Sequence, residues 1–237
     1  MKKGILILSV LAGFFISSFN TSCNTLSSSS EKYPLVLERK DTVGTSSEFQ
    51  SIQTMYATYI KALKKDSNDD LSKIKLVELY INEARVTGNL SYYNSASMKV
   101  LKTITDKKHV KQDIYFKALV YKATVFMSLH QFADAKKNAE LALAINPFDA
   151  DIYGVLMDAN VELGHYDVAL KMCDKMMSIR PDIRSYSRVS YMRQIYGDNA
   201  GAIAAMRMAV ESGAQGMENT EWARVQLGDL YLNTGHA

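Results

Sequence analysis

The sequence predicts an all-α protein, a superhelix built from stacked helical hairpins. Three observations carry this. Only three prolines and twelve glycines punctuate 237 residues, so long helices meet few breaks. From about residue 116 a pattern of aromatic, small and apolar residues returns every 34 positions, and a fixed period of that length signals an array of units. Upstream, Phe49, Ile52, Met55, Tyr56, Tyr59, Ile60 and Leu63 recur every three or four residues, which places them on one helical face.

Composition bounds the function. A chain that is 47% hydrophobic and 22% charged is of the soluble globular class, not the disordered or membrane-embedded one. Of 28 basic residues, Lys2 and Lys3 lie in the first 22 positions, which hold no acid; the remainder carries 26 basic against 25 acidic residues. Such a balance lacks the clustered basic charge that nucleic acid requires.

The first element, residues 1–22, is an address. Lys2 and Lys3 precede an apolar run from Ile5 to Ile16, followed by small and polar residues up to Cys23. A basic start, a short apolar stretch and small residues form a secretory signal, and the run falls short of the roughly 20 apolar residues of a membrane-spanning helix. Asn20-Thr21-Ser22-Cys23 resembles the relaxed lipobox of a bacterial lipoprotein of the Bacteroidota type. The resemblance implies that Cys23 is acylated and becomes the mature N-terminus, and acyl chains tether a protein by partitioning into the bilayer. Asn24 to Ser30 then reads as a flexible polar tether, within a spacer spanning 23–46. With Cys23 acylated, Cys173 stands alone, no intrachain disulfide forms, and the apolar setting of Cys173 makes it a small buried thiol.

The next region, 47–113, begins with the helix around Phe49 to Leu63, expected to cap the stack. Leu76, Leu79, Tyr80 and Ala84, a Gly88-Asn89 turn, and Ala96, Val100 and Leu101 form a divergent hairpin, and Asp106 to Asp113 a polar joint. The array occupies 114–237. At an offset of 34, Phe132 maps to Tyr166, Ala135 to Ala169, Ala139 to Cys173, Ala142 to Met176, and Asn146-Pro147 to Arg180-Pro181. A third unit at 183–216 maps at 33, Gly164 onto Gly197 and Ala169 onto Ala202, and a fourth opens at Trp222, with Leu227, Gly228 and Tyr231 in first-helix places. These residues resemble the tetratricopeptide repeat (TPR) family, whose unit is two antiparallel helices in 34 residues, and the resemblance implies a right-handed α-α superhelix. Met157 and Met176 stand where the family has small residues, which requires wider helix spacing or smaller neighbours. The last helix carries Trp222, Val225, Leu227, Leu230, Tyr231 and Leu232, apolar on more than one side, so self-association through it, or further chain covering it, is expected.

The chemistry motifs of enzymes are missing. No Gly-x-Ser-x-Gly, phosphate-binding loop or His-Glu-x-x-His occurs. Ser72-x-x-Lys75 lacks companion motifs and reads as a solvated face. His109, His130, His165 and His236 are read as polar turn residues, with no metal site and no cofactor expected. Lysines 99, 102, 107, 108 and 111 read as a solvated helix end and joint, with a membrane-facing patch as the alternative.

The resemblance implies a concave inner surface lined by first helices. Family geometry places Lys117, Val120, Thr124 and Met127 there, then Asp151, Gly154, Asp158 and Glu162, then Arg184, Ser187, Tyr191 and Gln194. Asp151 and Asp158 make its middle acidic, which fits a positively charged or neutral extended peptide. The expected function is a non-enzymatic, lipid-anchored scaffold for an unidentified protein or peptide partner at the periplasmic face of the outer membrane. The alternatives are a glycan-binding nutrient-uptake lipoprotein, with Trp222 as the only tryptophan, and the N-terminal docking or sensor part of a longer protein.

Overall fold

A computed structural model describes residues 32–39 and 47–235. The signal segment, Cys23, the spacer up to residue 31, residues 40–46 and His236 lie outside the described residues. Ten α-helices follow one another among the described residues, with no strand: α1 (Ser47–Lys65), α2 (Asp70–Thr87), α3 (Leu90–Thr105), α4 (Gln112–Ser128), α5 (Phe132–Ile145), α6 (Ala150–Glu162), α7 (Tyr166–Ile179), α8 (Ile183–Ile195), α9 (Asn199–Glu211) and α10 (Glu218–Asn233). α2/α3, α4/α5, α6/α7 and α8/α9 are packed hairpins, α1 packs on α2, and α10 on α9. The helical hairpins that the 34-residue period predicts are therefore present.

Local chemistry explains the boundaries. The residue before a proline is pushed out of the helical region, and Asn146 and Arg180 are both extended, with φ of −140° and −147°, ending α5 and α7. Within the hairpins, Gly164 and Gly197 have φ of +77° and +78°, and His130 takes the same place at +55°. Each of these three turns closes with the same bond, from the amides of Gln131, His165 and Asp198 to the carbonyls of Phe126, Asn160 and Arg193, the Schellman pattern that satisfies carbonyls left open at a helix end. α8 starts with a reciprocal capping box between Asp182 and Ser185.

Packing between hairpins rests on small side chains. Ala123, Ala135, Ala142, Ala169 and Ala202 have no exposed surface. The two methionines at small positions are accommodated by small neighbours. Met157 is buried with Ala169 and Cys173, and the Met176 sulfur lies 3.3 Å from where a Cβ on Gly154 would sit. Tyr166 is 44% exposed. On α1, Phe49, Ile52 and Leu63 are buried, whereas Met55, expected on the same face, is 39% exposed. On α10, Ala223 and Leu230 are buried against α9, while Trp222, Val225 and Leu232 are exposed.

Residues 33–39, read from sequence as spacer, lie against the first hairpin. Tyr33, Val36 and Leu37 pack on its core cluster. The Tyr80 hydroxyl donates to the Pro34 carbonyl, Tyr92 to the Leu35 carbonyl at 2.8 Å, and the Leu37 amide donates to the Tyr93 hydroxyl at 3.0 Å. Arg39 closes the strap: its Nη2 donates to Glu83 Oε1 at 2.6 Å and its guanidinium lies 5.3 Å from the Phe49 ring centroid. The Glu83 side chain is fully buried and that of Arg39 is 3% exposed. A buried ion is tolerated only when matched in this way.

Arg39→Ala strands the Glu83 carboxylate and is expected to cost about 3 kcal/mol, whereas adding Glu83→Gln recovers much of that loss; denaturant titrations of both variants check it. Ala169→Leu overpacks a contact with no free surface and is expected to cost about 1–3 kcal/mol, read as a lower midpoint of thermal unfolding.

Candidate functional site

The first helices build an inner wall. α2 packs on α4, α4 on α6, α6 on α8 and α8 on α10, whereas no comparable packing links α3 to α5, α5 to α7 or α7 to α9. Elements on the inside of a bend are the ones brought together, so the trough runs along the first helices. Arg85 at the end of α2 and Glu218 at the start of α10 form an ion pair, so the outermost inner helices meet at one side of it. Both side chains are well exposed, and such pairs contribute little stability.

The expected trough residues divide into two groups. Lys117, Glu162, Arg184, Tyr191 and Gln194 are exposed, and Asp151 and Asp158 are half-buried. Val120 and Ser187 are not accessible: both are 8% exposed, Val120 belongs to the core cluster between α4 and α6, and the Ser187 hydroxyl donates to the Ile183 carbonyl at 2.6 Å. Gly154, at the corresponding place of α6, is buried as well. Thr124 turns its hydroxyl to the Val120 carbonyl at 3.1 Å, and Met127 packs on that same core cluster. These positions fall where consecutive first helices meet.

One residue further along the helices, Tyr121 and Arg188 turn toward the charged surface instead. The Tyr121 hydroxyl is pushed well above its usual range, first by burial and then by Glu78 on α2 and Asp151 on α6. Arg188 forms a two-point pair with Asp158, Nε to Oδ1 at 2.9 Å and Nη2 to Oδ2 at 2.6 Å, a fork that suits a carboxylate. Room for it comes from Gly154, where a Cβ would lie 3.2 Å from the Arg188 guanidinium carbon. Asp151 accepts from Arg180 and, at 2.9 Å, from Arg184. The acidic middle expected of the trough is thus matched by Arg180 at the end of α7 and by Arg184 and Arg188 on α8. Burial works to raise the Asp151 carboxyl, but Arg180 and Arg184 outweigh it and hold it below the ordinary carboxylate range. Sequence reading missed Tyr121, Arg180 and Arg188. The available signal was Arg184 and Arg188 at i and i+4, following Asp151 and Asp158 at i and i+7.

Elsewhere the chemistry is bland. Among the described residues, no group of three His, Cys, Asp or Glu side chains is placed to hold a metal ion. His109, His130 and His165 are exposed. Cys173 is buried and its thiol is pushed up to about 11, chiefly by burial, which disfavours the reactive thiolate. Ser72 donates to the cap residue Asp69 at 2.5 Å, and Lys75 pairs with Glu78, so the two do not form a nucleophile and base. An open hollow of about 390 Å³ lies at the edge of α4 and α5, lined by Phe116, Lys117, Ile145 and Asp149 among others. No described helix is long and apolar enough to cross a membrane.

Solved structures place this architecture. A thermophilic TPR protein from Thermus thermophilus superposes with a TM-score of 0.62 at 14% identity, over 78% of this chain and 93% of its own. A tetratricopeptide repeat protein from Parabacteroides merdae gives 0.57 at 16% identity, over 78% and 66%. BtubC from P. vanneervenii gives 0.54 at 15%, over 81% and 85%. The fold is therefore that of the tetratricopeptide repeat. No family model matches the chain, and no curated protein matches it in sequence.

The Asp151 pairs generate a pH prediction. A carboxyl lowered in the folded state contributes stability above its unfolded value, near 3.9, and loses it as pH falls through the folded value. At neutral pH Asp151→Asn is expected to cost up to about 1 kcal/mol, because the side chain is 38% exposed and partly screened. The gap to wild type should close below about pH 4, which parallel acid titrations of the two proteins would show.

Proposed function

We propose that this tetratricopeptide-repeat stack is a non-enzymatic scaffold that holds an extended segment of a partner protein along its first helices. Acylation of Cys23 would keep it at the outer membrane, on the periplasmic side. The observation that supports the binding reading is the inner wall itself, with Lys117 on α4, Glu162 on α6, and Arg184, Tyr191 and Gln194 on α8 open to solvent on consecutive first helices. Packed helices lie roughly 10 Å apart, so about six extended residues reach from α4 to α8. Because Arg180, Arg184 and Arg188 already match Asp151 and Asp158, the preferred segment is neutral and polar, with Tyr191 offering aromatic surface. The anchoring part rests on the basic, apolar and small-residue order that ends at Cys23.

The test is site-specific photo-crosslinking in intact cells, together with fractionation. A crosslinker at Tyr191 is expected to trap a protein partner, one at Lys137 on α5 to trap none, and Cys23→Ser to release the protein from the membrane fraction. Equal adducts from both positions would sink the trough reading, and digestion by protease added to intact cells would overturn the periplasmic placement.

A further inference from the structure

We propose that the edge of the first hairpin carrying Lys61, Lys64, Lys65, Lys102, Lys108 and Lys111 faces an anionic phospholipid surface. This rests on the lipid anchor proposed above and adds the orientation of the fold beneath it. Charge marks this edge. The end of α1, the start of α2, the end of α3 and the joint into α4 lie together there, tied by Lys107, which donates to both oxygens of Asp70 at 2.5 and 2.7 Å. All six lysines are exposed and none forms an ion pair with a described residue. Exposed acids on the edge are Asp66, Asp106 and Asp113, so basic charge prevails. Helix stability accounts for Lys64, Lys65 and Lys102, since cations are favoured in a last turn. It does not account for Lys108, which lies in the joint, or Lys111, which sits at the N-cap of α4, where the helix dipole opposes a positive charge. Basic clusters of about four to eight residues beside a membrane attachment are drawn to anionic lipid.

The experiment uses the full acylated protein on vesicles of phosphatidylcholine alone and of phosphatidylcholine with phosphatidylglycerol, with lysine acetylation read by mass spectrometry. Lys102, Lys108 and Lys111 are expected to react several-fold more slowly on the anionic vesicles, with Lys137 and Lys171 unchanged. The contrast should vanish at about 1 M salt, where charges are screened within about 3 Å. The Lys108→Glu/Lys111→Glu variant, altered only at exposed positions, is expected to lose the contrast as well. Equal rates on both vesicle types, with protein floating on both, would overturn this inference and leave the anchor standing. Failure to float on phosphatidylcholine with protection retained on anionic vesicles would overturn the anchor alone. Failure to bind either would overturn both.

Discussion

The close approach of helices at small residues is the constraint on which the rest of the structure depends. Ala135, Ala139, Ala142, Ala169, Cys173, Ala202, Ala209 and Ala223 are at most 2% exposed, and each lets a neighbouring helix come near. A protein interior has no room to absorb an added methylene freely, so these positions set the spacing between hairpins. That spacing lets first helices touch their successors while second helices stay apart, and the resulting bend makes a trough. Where methionine replaces a small residue, the same constraint is met from the other side: Gly154 yields space to Met176, and Ala169 and Cys173 to Met157.

Between α6 and α8 the contact is of another kind. Carboxylates of one hairpin face guanidinium groups of the next, with Arg188 laid over Gly154 and forked onto Asp158. These groups are partly exposed, so they add less stability than buried apolar surface does. Their greater effect is on recognition. Charges matched within the wall are less available to a ligand, and the exposed residues left without such a match are Lys117, Glu162, Tyr191 and Gln194. Of the positions that family geometry assigned, Val120, Gly154 and Ser187 are buried, while Tyr121 and Arg188 stand one residue on from two of them. One residue is a turn of about 100° around a helix.

The two ends of the stack are finished differently. At the N-terminal end the strap covers α2 and α3, with tyrosine hydroxyls holding its backbone and Arg39 matching Glu83. Backbone groups in an extended segment need partners once water is excluded, and Tyr80, Tyr92 and Tyr93 supply them. At the other end α10 is packed on one side and leaves Trp222, Val225 and Leu232 in solvent.

What the sequence alone determined was the cadence: paired helices, turns at Gly164 and Gly197, stops before Pro147 and Pro181, and alanines at the contacts. These are legible because each depends on a few adjacent residues or on a spacing within one unit. Only the tertiary structure decided which side chains enter the trough, that Asp151 and Asp158 are matched by arginines about 30 residues away, and that Tyr33 to Arg39 is strap and not tether. Those outcomes follow from the angle and depth at which whole helices meet. A partner brought close by that geometry leaves no periodic trace in the chain.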